Sequence, residues 1–167
     1  MKYRTRPFSR PELRTMALTV RALFAREDEM LDIVGVLERT VARNGRWHIE
    51  IVPKSALSPD KHAVTVYSEC VIRIREDVYV GACKGRGRDR MTVAHEFVHF
   101  LLHTCMPLKQ CADDERIPAY KDPEWQAKCF AGELLIPFPA IAGMSAEEIV
   151  AKYGVSEEAA RYALRKA

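Results

Sequence analysis

The sequence lacks the features that mark several other classes of protein. It has no run of about 18 apolar residues, so we predict no membrane span and no membrane partner. Its N-terminus is charged from Lys2 to Arg6 with no apolar segment behind it, unlike a secretion signal. The five cysteines, at positions 70, 83, 105, 111 and 129, form no C-x-x-C pair. These absences predict reduced thiols in a cytoplasmic protein.

The sequence also has little that favours binding to nucleotides or DNA. The basic, glycine-rich segment 81–90 has neither a G-K-[ST] ending nor G-x-G-x-x-G spacing, which favours a solvated connection over a phosphate loop. The tail 145–162 resembles a helix-turn-helix, but its second helix opens with Ser156-Glu157-Glu158, whose acids would repel phosphate. The net charge of +3 is modest. Direct DNA binding is therefore not expected.

What the sequence does contain is the motif His95-Glu96-Phe97-Val98-His99. Histidines four residues apart on a helix lie on one face and can reach a single metal ion. A glutamate between them can take a proton from the attacking water. We predict that this helix runs from Asp89, as N-cap, to about Thr104.

The helix around the motif is apolar on every side but one. Its polar sector holds Thr92, Glu96 and three of the chain's five histidines. The remaining positions of its central part are apolar: Val93, Ala94, Phe97, Val98, Phe100, Leu101 and Leu102. Such a pattern predicts a buried helix with one chemical stripe, and not a solvent-facing amphipathic helix, whose polar side would carry Lys, Arg, Glu or Gln.

A catalytic metal needs a third protein ligand, and Glu124 is the candidate. His103 lies one turn beyond His99 and is expected to have a supporting or core role. Asp122-Pro123 predicts the start of a helix that runs to about Leu135. Glu124 is expected on its inward side, where a carboxylate needs a cation or metal, and Glu133 on its solvated side. The alternative for Glu124 is an acid that favours the helix dipole.

Two stretches, Met91–His103 and Glu124–Pro137, resemble the signature segments of the ImmA/IrrE metallopeptidases. The resemblance implies that His95, His99 and Glu124 are metal ligands and that Glu96 is the general base. It implies a compact, thermolysin-like zincin domain of the gluzincin kind. It also implies a protein substrate, typically a helix-turn-helix transcriptional repressor.

The order of predicted elements favours an α+β fold in a single domain, residues 1–167. N-terminal helices are predicted in 1–44 (9–25 and 28–43) and a small antiparallel sheet in 47–80, with strands at 47–52, 63–67, 70–75 and 78–80. The metal-site helices occupy 89–137, with an irregular loop at 105–121. Two short helices around Gly154 form a C-terminal tail, 145–166.

The sequence thus predicts a cytoplasmic zinc endopeptidase that acts on a regulatory protein. Zinc is favoured because two histidines and one glutamate form a familiar hydrolytic set, with Mn²⁺ and Fe²⁺ as alternatives. Tyr120, His103 and Arg116 are candidates for stabilising the oxyanion. The alternative function is a non-catalytic, metal-stabilised regulatory or antitoxin-like binding protein.

Overall fold

The computed structural model describes residues 2–167, so Met1, the first residue of the predicted domain, lies outside the described part. Within that part the chain forms seven α-helices and two small sheets, which confirms the predicted α+β class. The elements in chain order are β1 (Lys2–Arg4), α1 (Arg10–Ala22), α2 (Ile33–Asn44), β2 (His48–Val52), β3 (Ala63–Val66), β4 (Val71–Arg75), α3 (Glu76–Cys83), α4 (Gly87–His103), β5 (Lys109–Cys111), α5 (Pro123–Leu135), α6 (Ala146–Tyr153) and α7 (Glu157–Lys166). Every helix among these residues is too short or too polar to span a bilayer.

The two N-terminal helices are shorter than predicted because residues 23–32 form a loop that a buried arginine holds. Arg21, only 2% exposed, donates to the carbonyl of Leu134 on α5 at 2.8 Å and to the carbonyls of Arg26 and Glu29. The side chain of Asp32 then caps α2 by accepting from the Gly35 amide. The helix therefore starts at Ile33, five residues after the predicted start.

The three-stranded sheet is mixed, so the prediction of an antiparallel sheet was wrong. Its strand order is β2-β4-β3, with β4 parallel to β2 and antiparallel to β3. The connection 53–62 carries the chain past the position that β4 later fills, so β3 becomes an edge strand. The predicted strand 78–80 is also wrong, because Glu76 and Asp77 open α3, where acids suit the helix N-terminus.

A second, two-stranded sheet was not predicted. Strand β5 lies in the segment 105–121, predicted to be irregular, and pairs antiparallel with β1, with Tyr3 opposite Gln110. Strands of three residues carry too little alternation to be recognised in the sequence.

Helices α4 and α5 pack together through the hydrophobic core. Val93, Ala94, Phe97 and Val98 of α4 are fully buried, as is Phe130 of α5. Helix α5 begins and ends as predicted, whereas α4 starts at Gly87 with Arg86 as its N-cap. Asp89, predicted as that N-cap, is instead buried in the first turn and accepts from the Arg86 guanidinium at 3.2 Å.

The C-terminal helices dock against the start of α4 at a position that requires glycine. A Cβ on Gly87 would lie 2.3 Å from the carbonyl carbon of Val155 and 2.4 Å from the amide nitrogen of Ser156. We expect Gly87→Ala to lower the free energy of unfolding by about 1–3 kcal/mol, because backbone must move to accept the methyl group. Urea unfolding measures this, with Gly132→Ala in α5 as the matched control, since a Cβ there meets open space. Equal stability of the two variants would contradict this account of the docking.

Glu133 is fully buried, so its prediction as a solvated residue was wrong. Its Oε1 accepts from Arg14 Nε of α1 at 2.9 Å, and its Oε2 has no hydrogen-bond partner in residues 2–167. The neighbouring helix α1 covers the face of α5 that periodicity alone assigned to solvent. Burial raises the pKa of Glu133 above the ordinary 4.5, and the Arg14 guanidinium only partly offsets this.

This raised pKa predicts a pH-dependent difference in stability between the wild type and Glu133→Gln. An acid whose pKa is raised by folding stabilises the folded state below its unfolded pKa and loses that contribution as pH rises. We therefore expect the free energy of unfolding of the wild type, relative to Glu133→Gln, to fall as pH rises from below 4.5 to neutrality. Urea titrations of both proteins across that range measure it, with the exposed Glu158→Gln as a charge control. A relative stability that increases with pH would contradict the prediction.

Candidate metal centre

Helix α4 carries His95, Glu96 and His99 to the floor of an open cleft. The apolar sides of the helix are packed in the core, which leaves its polar stripe as the side that faces the cleft. The side chain of His99 is 8% exposed and that of His95 is 26% exposed. The stripe predicted from periodicity is therefore present, on a helix held rigidly by its other faces.

Helix α5 brings Glu124 to the same place from its first turn. The Asp122 side chain caps the helix by accepting from the Glu124 amide at 2.9 Å, and Pro123 occupies the first helical position. The Glu124 side chain is 69% exposed, so the prediction that it lies on the buried side was wrong. Its carboxylate nevertheless faces the two histidines, because the first turn of α5 lies at the rim of the cleft and not inside the core.

The three potential ligand atoms converge on one point. His95 Nε2 lies 3.0 Å from Glu124 Oε2, His99 Nε2 lies 3.1 Å from Glu124 Oε1, and the two Nε2 atoms are 3.0 Å apart. Ligands that surround a tetrahedral zinc ion at roughly 2.0–2.1 Å are separated by about 3.3 Å. The donor set and its spacing therefore fit a small divalent cation such as zinc.

The electrostatics of the group are those of a carboxylate held between two imidazoles. Hydrogen bonds to His95 and then His99 hold the pKa of Glu124 well below its usual range, so it is an anion at neutral pH. Burial lowers the pKa of His95, but its hydrogen bond to Glu124 and the charge of Glu96 outweigh burial and raise it. The site thus directs the negative charge of Glu124 and two imidazole nitrogens, potential metal ligands, toward a common centre.

Glu96 lies beside this group with its carboxylate fixed by a residue that sequence reasoning missed. It is buried, and its Oε2 accepts from the hydroxyl of Thr65 on β3 at 2.6 Å. The alternation of Ala63, Thr65 and Tyr67 with Val64 and Val66 predicted a strand. This alternation does not indicate which helix the strand would pack against.

Tyr67 is the second residue that sequence reasoning missed. Its hydroxyl lies 3.2 Å from His99 Nδ1, the ring nitrogen that points away from Glu124. Its ring makes an edge contact with Trp47, which in turn packs on Phe100 of α4. Burial, followed by the charges of Glu96 and Glu124, raises the pKa of Tyr67, so its hydroxyl stays protonated.

The three residues predicted as oxyanion donors lie outside the described lining of the cleft. His103 is buried behind His99 with ring centroids 5.3 Å apart, and burial, aided by the charge of His99, lowers the pKa of His103 to about 4. Tyr120 and Arg116 are both exposed. The Tyr120 carbonyl accepts from the backbone amide of Phe8 and from the side-chain Nε2 of Gln126, so the backbone of Tyr120 helps to hold the start of α5.

The cleft has a volume of about 1110 Å³ and runs along the edge strand β3. Residues 60–68 line the cleft, together with residues of α4 and α5 and with Tyr3 and Leu108. The Arg75 amide donates to the His62 carbonyl, and Val64 and Val66 follow in the same register against β4. Because backbone groups alternate along an antiparallel strand, those of Ala63 and Thr65 point away from β4, toward the cleft.

Comparison with known proteins agrees with these features. A family model described as the IrrE N-terminal-like domain, of the peptidase M78 family, matches residues 47–165. The match takes in the three-stranded sheet, α4 and α5, and hence every residue of the convergent group. No curated protein matches the chain. Since the matched segment is well over half of the chain, the protein belongs to the IrrE N-terminal-like family of metallopeptidase-type proteins.

Proposed function

We propose that this protein is a zinc-dependent endopeptidase. The observation that carries the proposal is the convergence of His95 Nε2, His99 Nε2 and a Glu124 oxygen within one cleft, with the Glu96 carboxylate beside them. His95, His99 and Glu124 would hold the ion. When bound, zinc lowers the pKa of a coordinated water and polarises a carbonyl group. Mn²⁺ and Fe²⁺ are the alternatives, since both accept nitrogen and carboxylate ligands.

Glu96 is the general base in this proposal. Its carboxylate faces the cleft, accepts a proton from the attacking water and passes that proton to the leaving amine. Thr65 occupies one lone pair of Oε2 and leaves the remaining carboxylate lone pairs for this transfer. Glu96 differs in this from the buried Glu133, whose Oε1 is paired with the Arg14 guanidinium and which lies outside the lining of the cleft.

An extended segment of the substrate is proposed to lie along β3. The outward backbone groups of Ala63 and Thr65 can pair with a peptide as an added strand, which places its carbonyl groups along the wall of the cleft beside Glu96. Main-chain pairing recognises an extended conformation and not a particular side chain. The arrangement therefore favours a protein substrate with an exposed or unfolded segment.

The finer features implied by family resemblance belong to the same proposal. The single domain 1–167 would have a thermolysin-like arrangement, with the sheet edge on one side of the α4 stripe and Glu124 on the other. It would work in the cytoplasm, because the reducing conditions there keep cysteines as free thiols, and all five cysteines of this chain are free. Its substrate would be a helix-turn-helix repressor, and its cleavage would regulate transcription; this rests on family analogy.

The proposal is tested with a peptide library prepared from digested bacterial proteins, incubated with the zinc-loaded chain. We expect new peptide ends, detected by mass spectrometry, that disappear when a chelator removes zinc and return when zinc is restored. Co-expression with a repressor encoded beside the gene then tests the narrower substrate. The absence of new ends at stoichiometric zinc would contradict the proposed activity.

A further inference from the structure

The edge strand β3 and the residue that follows it place two side chains at the metal centre. Thr65 lies in β3 and Tyr67 directly after its last residue, Val66, and both side chains contact α4. Thr65 contacts Glu96, and Tyr67 contacts His99. One short segment therefore touches both the proposed base and one of the proposed ligands.

We infer that Thr65 and Tyr67 are positioning residues, with Thr65 orienting the Glu96 carboxylate and Tyr67 orienting the His99 ring for metal binding. The inference rests on the proposed function and deepens it, because it assigns the two groups that hold the base and a ligand in place. Neither side chain is proposed to touch the ion or to transfer a proton.

The case for Tyr67 comes from the two nitrogens of His99. Nε2 points at His95 and Glu124, so a metal bound there leaves the ring proton on Nδ1. Nδ1–H then donates to the Tyr67 oxygen, which lies 3.2 Å away. Such partners fix the tautomer and the ring orientation of a ligating histidine.

Tyr67 is itself held in place, as a positioning residue has to be. Its carbonyl accepts from the Cys70 amide in the turn between β3 and β4. Cys70 adopts a positive φ of 53°, which closes this turn. On the other side the ring of Tyr67 rests against Trp47, so both backbone and ring are fixed.

The case for Thr65 is a part-buried hydrogen bond to the proposed base. Its hydroxyl donates to Glu96 Oε2 at 2.6 Å, within the range of hydroxyl-to-oxygen hydrogen bonds. The same residue offers its backbone to the open edge of the sheet. Thr65 would thus align the substrate backbone and the base from one position in the chain.

The first test compares the zinc affinity of Tyr67→Phe with that of the wild type by competition with a chromogenic chelator. We expect affinity to fall about 10- to 100-fold, the range found when the partner of a ligating histidine is lost. Tyr79→Phe is the matched control, because it removes a phenol that bonds Glu38 at a distance from the cleft. An unchanged zinc affinity in Tyr67→Phe would overturn the assignment of Tyr67.

The second test uses acetohydroxamate, a small metal chelator whose hydroxyl proton can be held by a carboxylate beside the metal. At saturating zinc, we expect Thr65→Val to bind acetohydroxamate about tenfold more weakly, since Glu96 loses the bond that orients it. Thr65→Ser keeps the hydroxyl and should restore binding. Thr40→Val, which removes a hydroxyl bonded to a carbonyl within α2, controls for the change of residue type.

These outcomes separate the inference from the proposed function. Unchanged acetohydroxamate binding in Thr65→Val, or equal weakening in Thr65→Ser, would overturn the role of the Thr65 hydroxyl while a zinc site remained. A wild-type chain that takes up no zinc would overturn both the site and its positioning residues. Melting temperatures of all variants show whether each protein is folded.

Discussion

Glu96→Gln is expected to keep its metal and to lose about 10²–10⁴-fold in the rate of peptide cleavage. The amide has nearly the same shape as the carboxylate, and its oxygen can still accept from Thr65. The ligand atoms of His95, His99 and Glu124 are untouched. What the variant removes is the capacity to take a proton, so the loss should appear in turnover and not in metal content.

The measurement is the rate at which new peptide ends appear in the peptide library, with zinc content measured on the same samples. The exposed Glu158→Gln is the control for removal of one negative charge. Full cleavage by a zinc-loaded Glu96→Gln would show that Glu96 is not the base. If the cellular role also survived this substitution, the non-catalytic binding protein would become the better account.

Glu124→Ala is expected to weaken zinc binding by at least about 100-fold, because a ligand should contribute more than the partner of a ligand does. Two histidines would remain, with their Nε2 atoms 3.0 Å apart and no anion between them. Competition with a chelator gives the affinity directly. The variant also tests the alternative that Glu124 serves only the dipole of α5.

Glu158→Ala is the matched control, since Glu158 is an exposed acid in the first turn of α7. Removal of a favourable charge from a helix N-terminus costs about 0.3–1 kcal/mol, so only a small loss of stability is expected in Glu158→Ala. Only Glu124→Ala should lose zinc. Equal zinc affinity in the two variants would mean that Glu124 is not a ligand.

The sequence predicted the parts of the site that lie on long helices. The spacing of His95, Glu96 and His99 and the apolar residues between them define one helix face, whatever the rest of the fold does. Asp122-Pro123 fixes the start of α5, which places Glu124 in its first turn. Both features depend only on residues close together in the sequence, and the structure has both helices as they predict.

The parts that failed depend on contacts between distant segments. Glu133 and Glu124 were assigned to the wrong environments because burial depends on which helix covers α5, and α1 covers the face of Glu133. The parallel pairing of β2 with β4 depends on how the connection 53–62 crosses the sheet. Thr65 lies on the short strand β3 and Tyr67 directly after it, and the pattern of residues in such a strand does not indicate which helix it will face.

The measurement that tests the central claim most directly is the metal content of the wild-type chain, purified without metal-chelate resin and analysed by native mass spectrometry. The geometry of His95, His99 and Glu124 predicts one zinc ion per chain. A chain that remains free of metal after zinc is added would contradict the proposed metal centre and, with it, the peptidase mechanism built on that centre.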